Sequence, residues 1–144
     1  MILAIVGPTG VGKTKLSIEL AKKYNAIIIN CDAMQVYKDL NIGTAKIKES
    51  EKEGIKHYLF DIVSPDTFYT VCDYQKEARK IIEENSDKNI IFVGGTGLYL
   101  KACLYDYQFS SDNNSNDYDN YSNEQLLSMC KEIDANCSIH VNNR

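Results

Sequence analysis

No apolar run in this 144-residue sequence is long enough to cross a bilayer. The longest, such as Met1–Val6 and Ile90–Val93, fall far short of the roughly 20 residues a spanning helix needs. Met1 leads straight into such a run with no basic segment, so neither a membrane span nor an export signal is expected. Paired cysteines are also lacking. Cys31, Cys72, Cys103, Cys130 and Cys137 are odd in number, scattered, and never spaced C-x-x-C, which argues against a disulfide framework or a zinc site. A reducing cytoplasm fits, with each cysteine expected as a small buried or half-buried hydrophobe. Arginine is scarce, with only Arg79 and Arg144, and the formal charge of -4 lacks the basic footprint of a nucleic-acid binder. No internal repeat is found. What remains, 44% hydrophobic and 25% charged, suits one globular domain with an ordinary core.

The acidity is concentrated at one end. Residues 1–104 carry 14 basic against 13 acidic side chains, whereas 105–144 carry 2 against 7. The stretch from Ser110 to Asn123 is almost entirely Asn, Ser, Asp and Tyr, with too few aliphatic groups to offset the entropy of ordering. It reads as a mobile linker or a plain solvated surface loop. The organisation expected is therefore a core over 1–105, an acidic linker over 106–123, and a remaining segment over 124–144.

Along the chain, short apolar runs alternate with helical patterns. Ile2–Val6 predicts a buried strand that ends in a glycine turn. Lys13–Tyr24 predicts a helix with Leu16, Leu20 and Tyr24 on its buried stripe and Lys22 and Lys23 in the last turn. Ala26–Ile29 predicts a second strand, 36–55 a loop with a short helix, and His57–Val63 a short strand or extended segment. Thr70-x-x-Asp73 resembles a capping box for a helix reaching Glu84, buried through Tyr74, Ala78, Ile81 and Ile82. A third apolar run, Asn89–Val93, precedes helix-like Leu98–Tyr105. Glu124–Ile133 reads as one amphipathic helix through Leu126, Leu127, Cys130 and Ile133. Strands apolar on both faces, alternating with helices, imply a parallel sheet flanked by helices: an α/β fold of the P-loop NTPase-like type.

Gly7-Pro8-Thr9-Gly10-Val11-Gly12-Lys13-Thr14 fits G-x-x-x-x-G-K-[ST] between a predicted strand and a predicted helix. The glycines let backbone N–H groups turn inward around a phosphate, and the helix N-terminus adds positive potential. Lys13 reaches an outer phosphate, and the Thr14 hydroxyl is placed for Mg2+. The loop alone does not say what is transferred. The third strand ends in Gly94-Gly95, so Asp32, after the second, is the better-placed carboxylate. Its readings are metal-shell ligand, general base, or a loop aspartate capping a turn. With two arginines the chain looks underequipped as a complete kinase.

Together with the phosphate loop, four further blocks carry a resemblance. They are Asp32-Ala33-Met34-Gln35-Val36-Tyr37, Ile42-Gly43-Thr44-Ala45-Lys46, His57 with Asp61-Ile62, and Val93-Gly94-Gly95-Thr96-Gly97-Leu98-Tyr99. In order and spacing these closely resemble the tRNA dimethylallyltransferases (tRNA isopentenyltransferases). Ile139-His140-Val141-Asn142-Asn143-Arg144 is similar to that family's I-H-P-N-N/D segment, with Val141 in place of proline. The resemblance implies transfer of a dimethylallyl group from dimethylallyl diphosphate to N6 of adenosine 37 in the tRNA anticodon stem-loop. It implies Gly7–Thr14 and Mg2+ on the diphosphate, Asp32 as the base that takes the N6 proton, and Thr96 near the reacting centre. Asp32, Ala33, Met34, Gln35 and Thr96 would meet the flipped-out tRNA base. Thr96 also reads as an N-cap. Lys46 reads as charge near diphosphate or RNA, or as a solvated lysine. His57 reads as structural, and Tyr37 and Tyr99 as base-stacking or packing residues.

Family members are longer, with a helical insertion on the anticodon stem and a basic C-terminal half. The resemblance thus implies a chain truncated after the N-terminal half, with 124–144 as a remnant of the insertion and the start of the missing half. Weak, salt-sensitive tRNA affinity and self-association through an incomplete core are then expected. A small-molecule or nucleotide kinase and a non-catalytic diphosphate-binding remnant stay open as alternatives, as does free adenylate as acceptor.

Overall fold

The computed structural model describes residues 1–109, 118 and 120–139. The chain divides into two compact units, 1–109 and 110–144. Most of the acidic stretch and the segment from His140 to Arg144 lie outside the described residues.

In the first unit four parallel strands form one sheet in the order β1-β4-β2-β3: β1 (Ile2–Val6), β2 (Ala26–Asn30), β3 (His57–Tyr58) and β4 (Asn89–Gly94). β2 is buried along its whole length and β4 nearly so, which explains why both read as unbroken apolar runs. Alternate side chains divide between two cores. Ile27, Ile29, Ile90 and Phe92 meet Tyr74, Ala78, Tyr99 and Cys103 from α2 (Val71–Glu84) and α3 (Gly97–Leu104). On the other face Ala26, Ile28, Ile91 and Val93 meet Ile18 and Ala21 of α1 (Lys13–Tyr24). The α/β fold with a parallel sheet flanked by helices is therefore observed. β1 sits at a sheet edge among the described residues, with Ile2 and Val6 exposed.

Three sequence expectations need correction. The face of α1 that meets the sheet is Ser17, Ile18 and Ala21, while Leu16 and Tyr24 are exposed. Two of the three side chains on this face are small, and Ser17 Oγ donates to Thr14 O at 2.7 Å, which satisfies its hydroxyl within the helix. Of the short strand or extended segment expected over His57–Val63, only His57–Tyr58 is strand, because Leu59 and Asp61 adopt left-handed backbone angles (φ 62° and 54°) that interrupt an extended chain. Cys130 is exposed. Between β2 and β3 the only helical element among the described residues is a short 3-10 helix at Glu49–Glu51.

Elsewhere local chemistry agrees with the structure. Thr70 and Asp73 form the predicted reciprocal cap of α2, with Asp73 N–H donating to Thr70 Oγ1 at 3.1 Å and Thr70 N–H to Asp73 Oδ2 at 2.9 Å. Arg79 donates to the carbonyls of Ala102, Cys103 and Tyr105, which closes the C-terminal end of α3. In the second unit Ser122 and Gln125 cap α4 (Asn123–Ile133), which buries no residue completely; Ile133 is fully on the surface. No helix among the described residues is long and apolar enough to cross a membrane.

Candidate active site

Three chain segments meet at the C-terminal end of the sheet. The first is the glycine loop after β1. Gly10 and Gly12 hold left-handed angles of φ 85° and 89°, which glycine adopts without a Cβ penalty. Gly12 also begins α1, whose N-terminus has no side-chain cap and no acidic residue in its first turn. The end of the helix dipole therefore faces outward unneutralised. Lys13 arches back so that Nζ donates to the carbonyls of Gly7 (2.8 Å) and Pro8 (2.7 Å).

The second segment follows β2. Cys31 N–H donates to Val93 O at 2.8 Å, and Thr96 N–H to Cys31 O at 3.0 Å, which ties this loop to the end of β4. Asp32 Oδ1 accepts from Met34 N–H at 2.9 Å, and Gln35 N–H donates to Asp32 O at 3.2 Å, a turn that points the carboxylate out of the sheet. Beneath it lies Asn30, fully buried. Its Oδ1 accepts from Asp32 N–H (3.0 Å), while Nδ2 donates to the carbonyls of Asp32 (3.0 Å) and Leu59 (2.9 Å). Tyr74 OH donates to Asn30 O at 2.9 Å.

The third segment is Gly94-Gly95-Thr96. A Cβ on Gly94 would overlap the Cys31 carbonyl and stand 2.7 Å from Asp32 N, and one on Gly95 would touch Gly7 O at 3.4 Å. Bare backbone lets β4 end between the phosphate loop and the Asp32 loop. The Thr96 hydroxyl does not cap α3; it accepts from Ala33 N–H at 3.0 Å, holding the Asp32 loop from the far side.

Between these segments lies a cleft of about 330 Å³, lined by Thr9, Gly10, Gly12, Lys13 and Thr14 on one side and by Asp32 and Gln35 on the other. Ile47, Phe60, Val93 and His57 give it an apolar wall. A second recess of about 510 Å³ brings Thr9, Asp32 and Met34 together with the loop through Asn41, Ile42 and Thr44. Gly7, Pro8, Val11, Ala33 and Thr96 line neither space; Gly7 and Pro8 hold Lys13 through their carbonyls, and the Thr96 hydroxyl holds the Ala33 N–H.

The remaining candidates divide by burial. Lys46 is buried, its Nζ bonded to Tyr37 O (2.6 Å) and Asp61 Oδ1 (2.5 Å), so it is neither solvated nor placed on the phosphate loop. His57 Nδ1–H donates to Ile55 O at 2.7 Å and its ring meets Phe60 edge-on; burial lowers its pKa from the ordinary 6.5. Tyr99 is buried and stacked on Tyr74 at 4.1 Å, and Tyr37 packs against the same core, so both are packing residues. Burial raises the Cys31 thiol to about 11, which keeps it protonated beside Asp32. Asn30 and Phe60 were not singled out by their sequence pattern, and Asp61 enters there only as part of a block of the family resemblance. Only Asn30 leaves a signal there, as the one polar residue in an otherwise apolar buried run.

Among the described residues no cluster of three or more His, Cys, Asp or Glu could hold a metal ion. Thr14 and Asp32 do line one cleft, and a hydroxyl with one carboxylate is an oxygen set that suits Mg2+ when phosphate oxygens complete the shell.

Comparison with known proteins bears on the family of the chain. The model of the IPP transferase family matches residues 35–144. The tRNA dimethylallyltransferase of Fusobacterium nucleatum is 50% identical over 99% of this chain and 48% of its own length. That of Anoxybacillus flavithermus is 48% identical over 99% of this chain and 48% of its own. Among solved structures, the full-length tRNA isopentenylpyrophosphate transferase of Bacillus halodurans superposes with a TM-score of 0.74 at 38% identity, covering 99% of this chain and 51% of that one. A eukaryotic dimethylallyltransferase, described as acting on tRNA, superposes at 0.82 with 31% identity over 99% and 38%. The chain spans about half the length of the curated relatives it matches.

Proposed function

The chain belongs to the IPP transferase family, and from that premise we propose that it moves a dimethylallyl group from dimethylallyl diphosphate to N6 of adenosine 37 in a tRNA anticodon stem-loop. The observation that carries this reading is the shared cleft, with the phosphate loop on one wall and Asp32 on the other. The loop amides and the open N-terminus of α1 receive the diphosphate. Lys13 spends two of its three donors on Gly7 and Pro8 and keeps one for a phosphate oxygen.

As the allylic C–O bond breaks, its electron pair leaves with the diphosphate and the N6 lone pair forms the new C–N bond. The N6 proton passes to Asp32, a base worth about 10²- to 10⁴-fold in rate. Gln35 donates its Nε2 to Thr44 O at 2.8 Å, which leaves Oε1 as an acceptor for an amine. Thr14 would hold Mg2+, which neutralises charge on the diphosphate when bound. The cytoplasm, where tRNA is found and free thiols persist, is the proposed compartment.

Donor binding without transfer is a second reading, favoured by the uncapped N-terminus of α1 and the free donor of Lys13, neither of which needs Asp32. A kinase is disfavoured because Arg79 is occupied by the carbonyls at the end of α3. Incubation with dimethylallyl diphosphate, Mg2+ and an anticodon stem-loop RNA separates the readings. Prenylated adenosine by mass spectrometry, lost in Asp32→Asn while donor binding persists, supports transfer. Donor binding with no product supports the second reading, and no donor binding refutes both.

A further inference from the structure

The loop between β2 and β3 is cross-linked twice at the same nine-residue offset: Gln35 to the Thr44 carbonyl, and Lys46 to the Tyr37 carbonyl. The Lys46 rung continues to Asp61. The lysine side chain is 3% exposed and the aspartate 47%. Asp61 in turn donates its N–H to Gln35 O at 3.3 Å, and Ile62 N–H donates to Val36 O at 2.8 Å. Asp39, Ala45 and Asp61 all adopt left-handed backbone angles (φ 62°, 48° and 54°), which side chains other than glycine disfavour. Tertiary bonds must therefore hold the segment in shape. What they hold is one wall of the recess shared by Asp32, Met34, Asn41 and Ile42; Thr44 and Ala45 of the same loop also reach the cleft beside the phosphate loop, but neither Lys46 nor Asp61 lines it, and the groups that face a diphosphate there belong to Gly7–Thr14.

We infer that Lys46 and Asp61 are positioning residues: their ion pair, anchored on the Tyr37 carbonyl, fixes the 37–46 loop against Asp32 and so governs acceptor binding while leaving diphosphate capture alone. This rests on the acceptor reading given above. The two partners are not equivalent. Asp61→Ala strands an ammonium in a buried place with one carbonyl partner, whereas Lys46→Met leaves a carboxylate half in water, so removing both is milder than removing Asp61 alone.

The test uses the 144-residue chain, as wild type, Lys46→Met, Lys46→Arg, Asp61→Ala and the Lys46→Met/Asp61→Ala double variant. The KM for an anticodon stem-loop RNA should rise on the order of 10- to 100-fold in Asp61→Ala, as misplacement of a binding loop does, while the Kd for dimethylallyl diphosphate stays within about twofold. Lys46→Met should lose less, Lys46→Arg should recover part, and the double variant should outperform Asp61→Ala. An unchanged acceptor KM, or donor and acceptor weakening in step, overturns the inference. Absence of transfer by the wild type would fail the proposed function instead, and stem-loop Kd then replaces KM. If the wild type does not bind RNA, hydrogen exchange decides. Faster exchange at Lys38, Ala45 and Lys46 in Asp61→Ala, with 10–14 unchanged, supports the clamp; unchanged exchange overturns it.

Discussion

Replacing Asn30 with leucine removes three hydrogen bonds at one buried point: two donated by Nδ2, to Asp32 O and Leu59 O, and one accepted by Oδ1 from Asp32 N–H. The Leu59 carbonyl sits in the core, so leaving it unpaired costs about 1–3 kcal/mol. The Asp32 groups are half-buried and can turn to water, so each of those bonds contributes only about 0.5–1.5 kcal/mol. The added apolar burial of leucine returns about 1 kcal/mol. The net expectation is a loss of about 3 kcal/mol, a large share of the roughly 5–15 kcal/mol typical of a domain. Urea titration followed by circular dichroism should show a lower midpoint with an unchanged slope. Asn30→Asp retains the shape but, when ionised, offers no donor to the two carbonyls, and should cost at least as much. A leucine variant within 0.5 kcal/mol of wild type, about the spread for a neutral surface change, would refute the reasoning.

Gly94→Ala should destabilise by about 1–3 kcal/mol or more, because its Cβ meets the Cys31 backbone and the strand must shift; Gly43→Ala, with open space around it, should leave Tm unchanged in the same melts. For His57 the sign follows from burial, which lowers its folded pKa below the ordinary 6.5, so the unfolded chain binds the proton more readily. Its contribution is fully present above about pH 6.5 and falls away as pH drops through that value toward the depressed folded pKa. The wild-type minus His57→Gln difference in unfolding free energy between pH 8 and 5 isolates it; a flat difference would contradict the assignment.

Much of this molecule is legible in the sequence because its signals are local. A buried parallel strand must be apolar on both faces, so Ala26–Ile29 and Asn89–Val93 announce themselves. The Thr70 and Asp73 pair lies within one helical turn, and the glycines that permit left-handed turns, Gly10 and Gly12, stand within three residues of Lys13. The stripe on α1 is not legible because two of its three buried residues, Ser17 and Ala21, are small or polar, which periodicity of large apolar groups cannot register. The strand after His57 was overextended because Val36 and Asp61, far apart in the chain, share backbone bonds with one another's neighbours.

The order of residues by itself determined the sheet's strands, the phosphate loop and the candidate carboxylate, since each depends on spacing within a few positions. Only the tertiary structure decided that Thr96 holds Ala33 in place of capping its own helix, that Asn30 supports Asp32, and that Lys46 is bound to Asp61. Those contacts join residues 63, 2 and 15 positions apart. Two of them cross between segments whose meeting is set by sheet order, and the third depends on burial beneath a turn; a hydrogen bond has a partner only once packing has brought both groups out of water.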